Sequence, residues 1–173
     1  MDNQVYGLTK GQPSPTTPTG MAALQRSSSM PKMAPYEGVL EGQLNMLAMI
    51  LVYGCTFVAR TFSSQATEMS KLIGQGLDHH GFSFIHAMSP CPTFYNTYDP
   101  WKESFVPLPE DWDDTDRIKA IDLTMEEANE GVFHSGIFYQ EQRPTYMDKV
   151  HSVFSKAHGE QISSIEALMD QYA

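Results

Sequence analysis

The chain has 173 residues, of which 41% are hydrophobic, enough for a globular unit with a core of its own. Eleven Lys and Arg against 21 Asp and Glu leave a formal net charge of -10. That balance excludes nucleic acid as a partner, since phosphate binding needs a basic surface.

Met1 to Gln12 is polar and has no apolar core of the kind a secretory leader carries. The most apolar run, Met46 to Ala59, is broken by Gly54 and falls short of the roughly 20 residues a membrane span requires. Two cysteines, Cys55 and Cys91, do not make a secreted disulfide framework. A cytoplasmic protein with no membrane segment is the expectation.

In chain order, Met1 to Tyr6 runs without a cap or start signal into Gly-Leu-Thr-Lys-Gly-Gln, as the end of a strand would. Residues 13–35 are rich in Pro, Ser and Thr and read as a loop. Order is expected to resume at Glu41, with Leu44, Leu47, Ala48, Leu51 and Val52 on the buried face of a helix. Thr56 to Arg60 reads as a strand. Ser63 and Ser64 offer caps for a second helix carrying Met69, Leu72, Ile73, Gly76 and Leu77 on one face. Gly81 ends it, and Phe82 to Ala87 is a strong strand candidate. Helix, strand, helix, strand in this order predicts an α/β domain with parallel strands.

Pro90 to Pro109 holds five prolines and five aromatic residues and is predicted extended rather than helical. Asp113 to Met125 reads as a helix with an acidic first turn, and Val132 to Tyr139 as a strand. Tyr146, Val150, Val153 and Phe154 give the apolar face of a late helix, and Ile162 to Tyr172 a last one. His79, His80 and His86 lack the spacing of a metal site; the adjacent pair suits a helix C-terminus instead. The run Asp111, Asp113, Asp114 and Asp116 reads as a solvated helix start. Met30, Met33, Met46 and Met49 read as packing residues.

Two short strings carry chemistry. Met1-Asp2-Asn3-Gln4-Val5-Tyr6-Gly7-Leu8-Thr9-Lys10-Gly11-Gln12-Pro13-Ser14-Pro15-Thr16 resembles the second half of the thiamine diphosphate motif of the 2-oxoacid:ferredoxin oxidoreductase β subunits. Ser89-Pro90-Cys91-Pro92-Thr93-Phe94 resembles the setting of a cluster-ligating cysteine in the same subunits, and Gly54 to Arg60 resembles a strand of that family. The resemblance covers residues 1 to about 110 well and the tail more loosely.

It implies an α/β fold: the C-terminal portion of a thiamine diphosphate-binding fold, a parallel sheet flanked by helices. Residues 1–110 would belong to that domain and residues 111–173 would be a C-terminal extension at a subunit interface. By resemblance Asn3 gives its side-chain oxygen and Val5 its carbonyl to Mg²⁺, which takes oxygen ligands in octahedral array. Gly7 lets the backbone approach the cofactor, and Leu8 and Thr9 lie at the thiazolium and diphosphate in the catalytic centre. Cys91 is one of four thiolates on a 4Fe–4S cluster, and Cys55 is core. Lys10 stands where pyruvate-type relatives carry a Gly-containing string, and its charge suits the second carboxylate of 2-oxoglutarate; the bland reading is a solvated loop lysine.

The implied activity is oxidative decarboxylation of a 2-oxoacid with CoA, with electrons passing to ferredoxin, in a hetero-oligomer with an α subunit. The upstream Gly-Asp-Gly and Cys-x-x-Cys of the family are absent from these residues. The implied thiamine diphosphate, Mg²⁺ and 4Fe–4S sites would therefore need residues from elsewhere. The chain looks truncated or split and is expected to be inactive alone. The alternative is a non-catalytic α/β fragment that acts only in subunit packing.

Overall fold

A computed structural model describes residues 1–21 and 39–157 of the chain. Most of the predicted loop at 13–35, the residues Met30 and Met33, and the predicted helix from Ile162 lie outside the described residues.

The chain opens with a two-stranded hairpin, β1 (Val5–Tyr6) and β2 (Gln12–Pro13). After it come α1 (Met46–Val52), β3 (Phe57–Phe62), α2 (Ala66–Asp78), β4 (Ser83–Met88), α3 (Tyr98–Ser104), β5 (Phe105–Pro107), α4 (Arg117–Glu130), β6 (Phe133–Gln140) and α5 (Tyr146–Ala157). Four strands form one sheet in the order β4-β3-β6-β5. β3 runs parallel to β4 and β5 parallel to β6, whereas β3 and β6 are antiparallel. The predicted α/β class holds, but the sheet is mixed rather than wholly parallel.

β3 is the organising strand. All six of its residues are buried, because both of its faces are covered. Val58 faces a core built with Leu47 and Leu51 of α1, Ala120 of α4, and Phe138 and Tyr139 of β6. Phe57 and Ala59 point the other way, onto Leu72 of α2. At the strand's end Phe62 joins Met88, Trp101 and Phe105 in a third cluster, with the Phe62 and Phe105 rings stacked 5.0 Å apart. Gly76 lets α2 lie close on the sheet: a Cβ there would stand 2.9 Å from Ile85 Cδ1.

Several predicted details differ, each for a local reason. α1 starts at Met46, where the Asn45 side chain accepts the Ala48 N–H, and it buries only Leu47 and Leu51. Leu44 is exposed ahead of the helix, and Val52 is exposed at its last residue. Ser63 and Ser64 do not cap α2; its N-cap is Gln65, with no side-chain bond. Ile73 and Leu77 are exposed too. The proline-rich stretch does contain a helix, α3, because Pro100 sits in its first turn, where an N–H has no intrahelical acceptor to lose.

The acidic run precedes α4 instead of filling its first turn. Asp113 accepts from the Thr115 N–H and hydroxyl, Asp114 takes a bond from Gln140, and Asp116 is the N-cap, accepting the Lys119 N–H. Short acidic side chains that bond nearby donors make turns before they make helix. β6 comes from beyond residue 111, yet it is an inner strand between β3 and β5. The late helix forms as predicted, but Tyr146, Met147, Val153 and Phe154 on it are exposed.

Candidate functional site

The hairpin β1–β2 presents the string that drew attention in the sequence. Its N-terminal stem is part of the sheet: the Asp2 N–H donates to the Ala87 carbonyl at 2.8 Å, and the Ser89 N–H donates to the Asp2 carbonyl at 2.7 Å. Asp2 thus extends the sheet beyond β4, as the end of a strand would. From there the backbone turns sharply, with Gln4 at φ 61 and Lys10 at φ 77. Left-handed backbone at residues other than glycine is costly and concentrates where a loop is shaped for binding.

Gln4 is held in place at both ends. Its N–H donates to Asp2 Oδ1 at 2.8 Å, and its carbonyl accepts from the Thr17 hydroxyl. Asn3 Oδ1 accepts the Val5 N–H at 3.1 Å. The loop is closed by the Lys10 N–H to the Gly7 carbonyl and the Gly11 N–H to the Tyr6 carbonyl.

Gly7 is where the two sequence motifs meet. A Cβ there would stand 3.1 Å from Asn3 Nδ2 and 3.2 Å from Cys91 Sγ. The fold therefore brings Asn3, Gly7 and Cys91 around one point, although Cys91 lies far along the chain. Val5 is buried, Leu8 is fully exposed, and Thr9 and Lys10 are exposed at the hairpin tip. Water has access to an apolar Leu8 here, an arrangement that suits a residue covered only when something binds.

The two cysteines differ as the sequence reading expects for Cys55. Cys55 is buried, bonds the carbonyls of Phe57 and Phe82, and burial pushes its thiol pKa up, so it serves packing. Cys91 is half-buried and unbridged.

Sequence reasoning missed the groups that anchor the loop. Asp2 Oδ1 also accepts from the Thr16 hydroxyl at 2.9 Å, and Asp2 Oδ2 accepts from His86 Nε2 at 3.0 Å. Burial by itself would raise the Asp2 carboxyl pKa, but the bonds from His86, Gln4 and Thr16 outweigh it and hold it below the usual value. Burial pulls the His86 ring the opposite way, below its ordinary pKa, despite the Asp2 carboxylate. An Asp directly before the motif Asn and an inward-facing His at the fourth position of a strand were the available signals. Neither spacing announces a pair 84 residues apart.

One strand over, Arg60 Nη1 donates to Glu127 Oε2 at 2.8 Å, with both side chains under a tenth exposed. Glu127 Oε1 accepts from the N–H and ring Nδ1 of His134. In the His79–His80 pair, His79 bonds Thr56 and His80 bonds Asp148.

Among the described residues no three His, Cys, Asp or Glu side chains gather to hold a metal ion. Asn3 Oδ1 and the Val5 carbonyl could supply two of the six or so oxygens that Mg²⁺ takes. Cys91 could supply one of four cluster thiolates. The donor types fit as parts of such sites.

Comparison with known proteins places these features. Residues 1–87 match the family described as thiamine pyrophosphate enzyme, C-terminal TPP binding domain. Residues 91–155 match the family described as the C terminal of the pyruvate ferredoxin oxidoreductase beta subunit. The chain is 30% identical to the 2-oxoglutarate synthase subunit KorB of Methanocaldococcus jannaschii, over 92% of its own length and 56% of that protein. The chain belongs to the 2-oxoacid:ferredoxin oxidoreductase β-subunit family.

Within this family it is also similar to a 2-oxoacid:ferredoxin oxidoreductase subunit beta from Saccharolobus solfataricus, at 29% identity over 98% of the chain and 61% of the relative. The fold agrees with a solved 2-oxoglutarate:ferredoxin oxidoreductase from Magnetococcus marinus with 2-oxoglutarate, coenzyme A and succinyl-CoA bound. There the TM-score is 0.81 at 32% identity, covering all of this chain and 56% of that one. The chain spans a little over half the length of the relatives it matches. Among the described residues no helix is long and apolar enough to cross a membrane.

Proposed function

We propose that this chain is the C-terminal part of a β subunit whose complex oxidatively decarboxylates a 2-oxoacid, with 2-oxoglutarate as the preferred acid. CoA takes the acyl group, CO₂ leaves, and two electrons pass singly to ferredoxin in the cytoplasm. The observation that carries the reading is the convergence of Asn3, Gly7 and Cys91 on one point. A diphosphate–Mg²⁺ loop and a cluster thiolate in contact through one glycine suit chemistry in which electrons leave a cofactor for a nearby cluster.

Thiamine diphosphate, when bound, supplies the electron sink for decarboxylation. The chain's own residues position it. Asn3 Oδ1 and the Val5 carbonyl would serve as two of the oxygen ligands of Mg²⁺. Gly7 would let the backbone approach the cofactor, and Leu8 and Thr9 would lie near its thiazolium and diphosphate. Lys10 reaches the second carboxylate of the substrate in a charge-assisted contact, a reading supported by the 2-oxoglutarate named for several relatives. Cys91 gives one of the four thiolates, and the other three, with the remaining Mg²⁺ ligands, come from elsewhere in the complex. An α subunit is the partner, and the segment after residue 111, including the exposed apolar residues of α5, contributes to that interface.

The experiment is iron and thiamine analysis of the purified complex, with Cys91→Ser, Cys55→Ser and Asn3→Ala variants. Cys91→Ser is expected to lose cluster iron while Cys55→Ser retains it, and Asn3→Ala to lose Mg²⁺-dependent thiamine diphosphate binding. A complex that binds neither group in the unmutated form would leave the chain as a packing fragment.

A further inference from the structure

Gln4 alone separates Asn3 from Val5, and it is buried with left-handed backbone at φ 61. Such a φ is disfavoured for any residue with a Cβ, so it persists only where its surroundings hold it. Here side chains hold both polar groups of the Gln4 backbone. Asp2 Oδ1 accepts its N–H at 2.8 Å, and the Thr17 hydroxyl donates to its carbonyl.

Both holders are themselves fixed. The Asp2 backbone is paired with the sheet at Ala87 and Ser89, and its carboxylate also bonds the Thr16 hydroxyl and His86. Thr17 is 1% exposed, and its hydroxyl accepts the Ser14 N–H at 2.8 Å. The clamp bears directly on the two oxygen donors beside it. Relaxation of Gln4 to a negative φ would swing Asn3 relative to the Val5 carbonyl, because that one dihedral lies between them. Asn3 Oδ1 accepts the Val5 N–H and keeps a second lone pair for a cation. Asp2 differs, since its oxygens are turned to Gln4, Thr16 and His86 and its side chain is 12% exposed.

We propose that Asp2 and Thr17 are positioning residues for Mg²⁺ and the diphosphate: they lock the Gln4 peptide so that Asn3 Oδ1 and the Val5 carbonyl are set to bind one ion. The proposal rests on the reading of Asn3 and Val5 as Mg²⁺ ligands. A locked loop binds without first having to change shape, whereas an unlocked one binds in proportion to the fraction that is competent.

The test is titration of Mg²⁺ into the complex containing this chain, stripped of metal and supplied with thiamine diphosphate, with binding read by calorimetry. Asp2→Ala and Thr17→Val should each raise the Mg²⁺ concentration for half-saturation roughly tenfold, as the competent fraction falls to about a tenth. Asp2→Asn keeps an acceptor for the Gln4 N–H, and Thr17→Ser keeps the hydroxyl, so both should stay within about twofold of the unmutated complex. Iron content and the urea midpoint are followed in parallel. Should Asp2→Ala fail to assemble, Thr17→Val, which keeps the side-chain shape, decides.

Unchanged half-saturation in Thr17→Val would overturn the proposal. So would an Asp2→Asn complex as weak as Asp2→Ala, which would give the carboxylate a direct role at the ion. Weakening of Thr17→Val that Thr17→Ser shares would overturn it too. Asn3→Ala separates the two levels. If it binds Mg²⁺ normally, the ligand reading and the clamp fall together; if it loses binding while Asp2→Ala and Thr17→Val retain it, only the clamp falls.

Discussion

Removing the Glu127 carboxylate is the most informative perturbation of the core. Glu127 is 3% exposed, receives Arg60 Nη1 at 2.8 Å, and also accepts from the backbone N–H and ring nitrogen of His134. Arg60 is 5% exposed and lies over the Phe133 and Phe138 rings, at 5.6 and 5.1 Å from their centroids. Glu127→Ala would leave a guanidinium buried among aromatic rings with no counter-charge, which costs about 3–5 kcal/mol. That is a large share of the roughly 5–15 kcal/mol that holds a domain folded. Arg60→Met should cost a similar amount for the mirrored reason. The double variant Arg60→Met/Glu127→Met should cost much less than the sum, on the order of 1–3 kcal/mol, mainly for the His134 N–H left without its acceptor. Urea unfolding read by tryptophan fluorescence is the assay, and Trp101, buried against Phe62 and Phe133, is the reporter. Additive single variants, or a Glu127→Ala loss below about 1 kcal/mol, would refute the buried pair, because a solvated pair has that magnitude.

Gly7→Ala should weaken thiamine diphosphate binding roughly tenfold, about 1.4 kcal/mol, by forcing Asn3 and Cys91 apart; calorimetric titration of the complex measures it. Asn45→Ala should lower stability by about 1–2 kcal/mol, since Asn45 both caps α1 and donates to the Thr124 carbonyl of α4; a shifted urea midpoint with unchanged slope checks it. Bonds from the Thr145 hydroxyl and N–H, with a further bond from His80, hold the Asp148 carboxyl down to about 2 at the start of α5. A depressed folded pKa gives stability that is present above the unfolded value of 3.8 and lost as pH falls toward 2. Amide exchange across α5, relative to its intrinsic pH dependence, should therefore quicken below about pH 4, and Thr145→Ala should quicken it already at neutral pH and flatten that dependence.

Much of the fold was legible because hydrophobic spacing is local. The central strand, the helix after it and the next strand all appear within a few residues of their predicted positions, and β6 lies within one residue of the predicted Val132 to Tyr139. The hairpin string, with Asn3, Val5, Gly7, Leu8, Thr9 and Lys10, was legible as a family motif, and Cys91 by its flanking prolines. The misplacements also follow a pattern. Ser63 and Ser64 lost the capping position to Gln65, Pro100 entered a first turn, and the acidic run made turns. The last two follow from local hydrogen bonding, since a first-turn N–H has no acceptor to lose and Asp side chains bond nearby donors.

What the sequence alone determined is the chemistry offered: a loop with an asparagine side chain and, further along, a cysteine between prolines, on an α/β scaffold. Only the tertiary structure decided which distant residues meet. Sheet pairing carries Cys91 to Gly7, sets Asp2 against His86, and places Arg60 beside His86 and opposite Glu127. Those contacts depend on strand register, on β6 inserting antiparallel to β3 between β3 and β5, and on α4 folding back over the sheet. Register is fixed by which faces can be buried together across the whole molecule, and no short window of sequence contains that information.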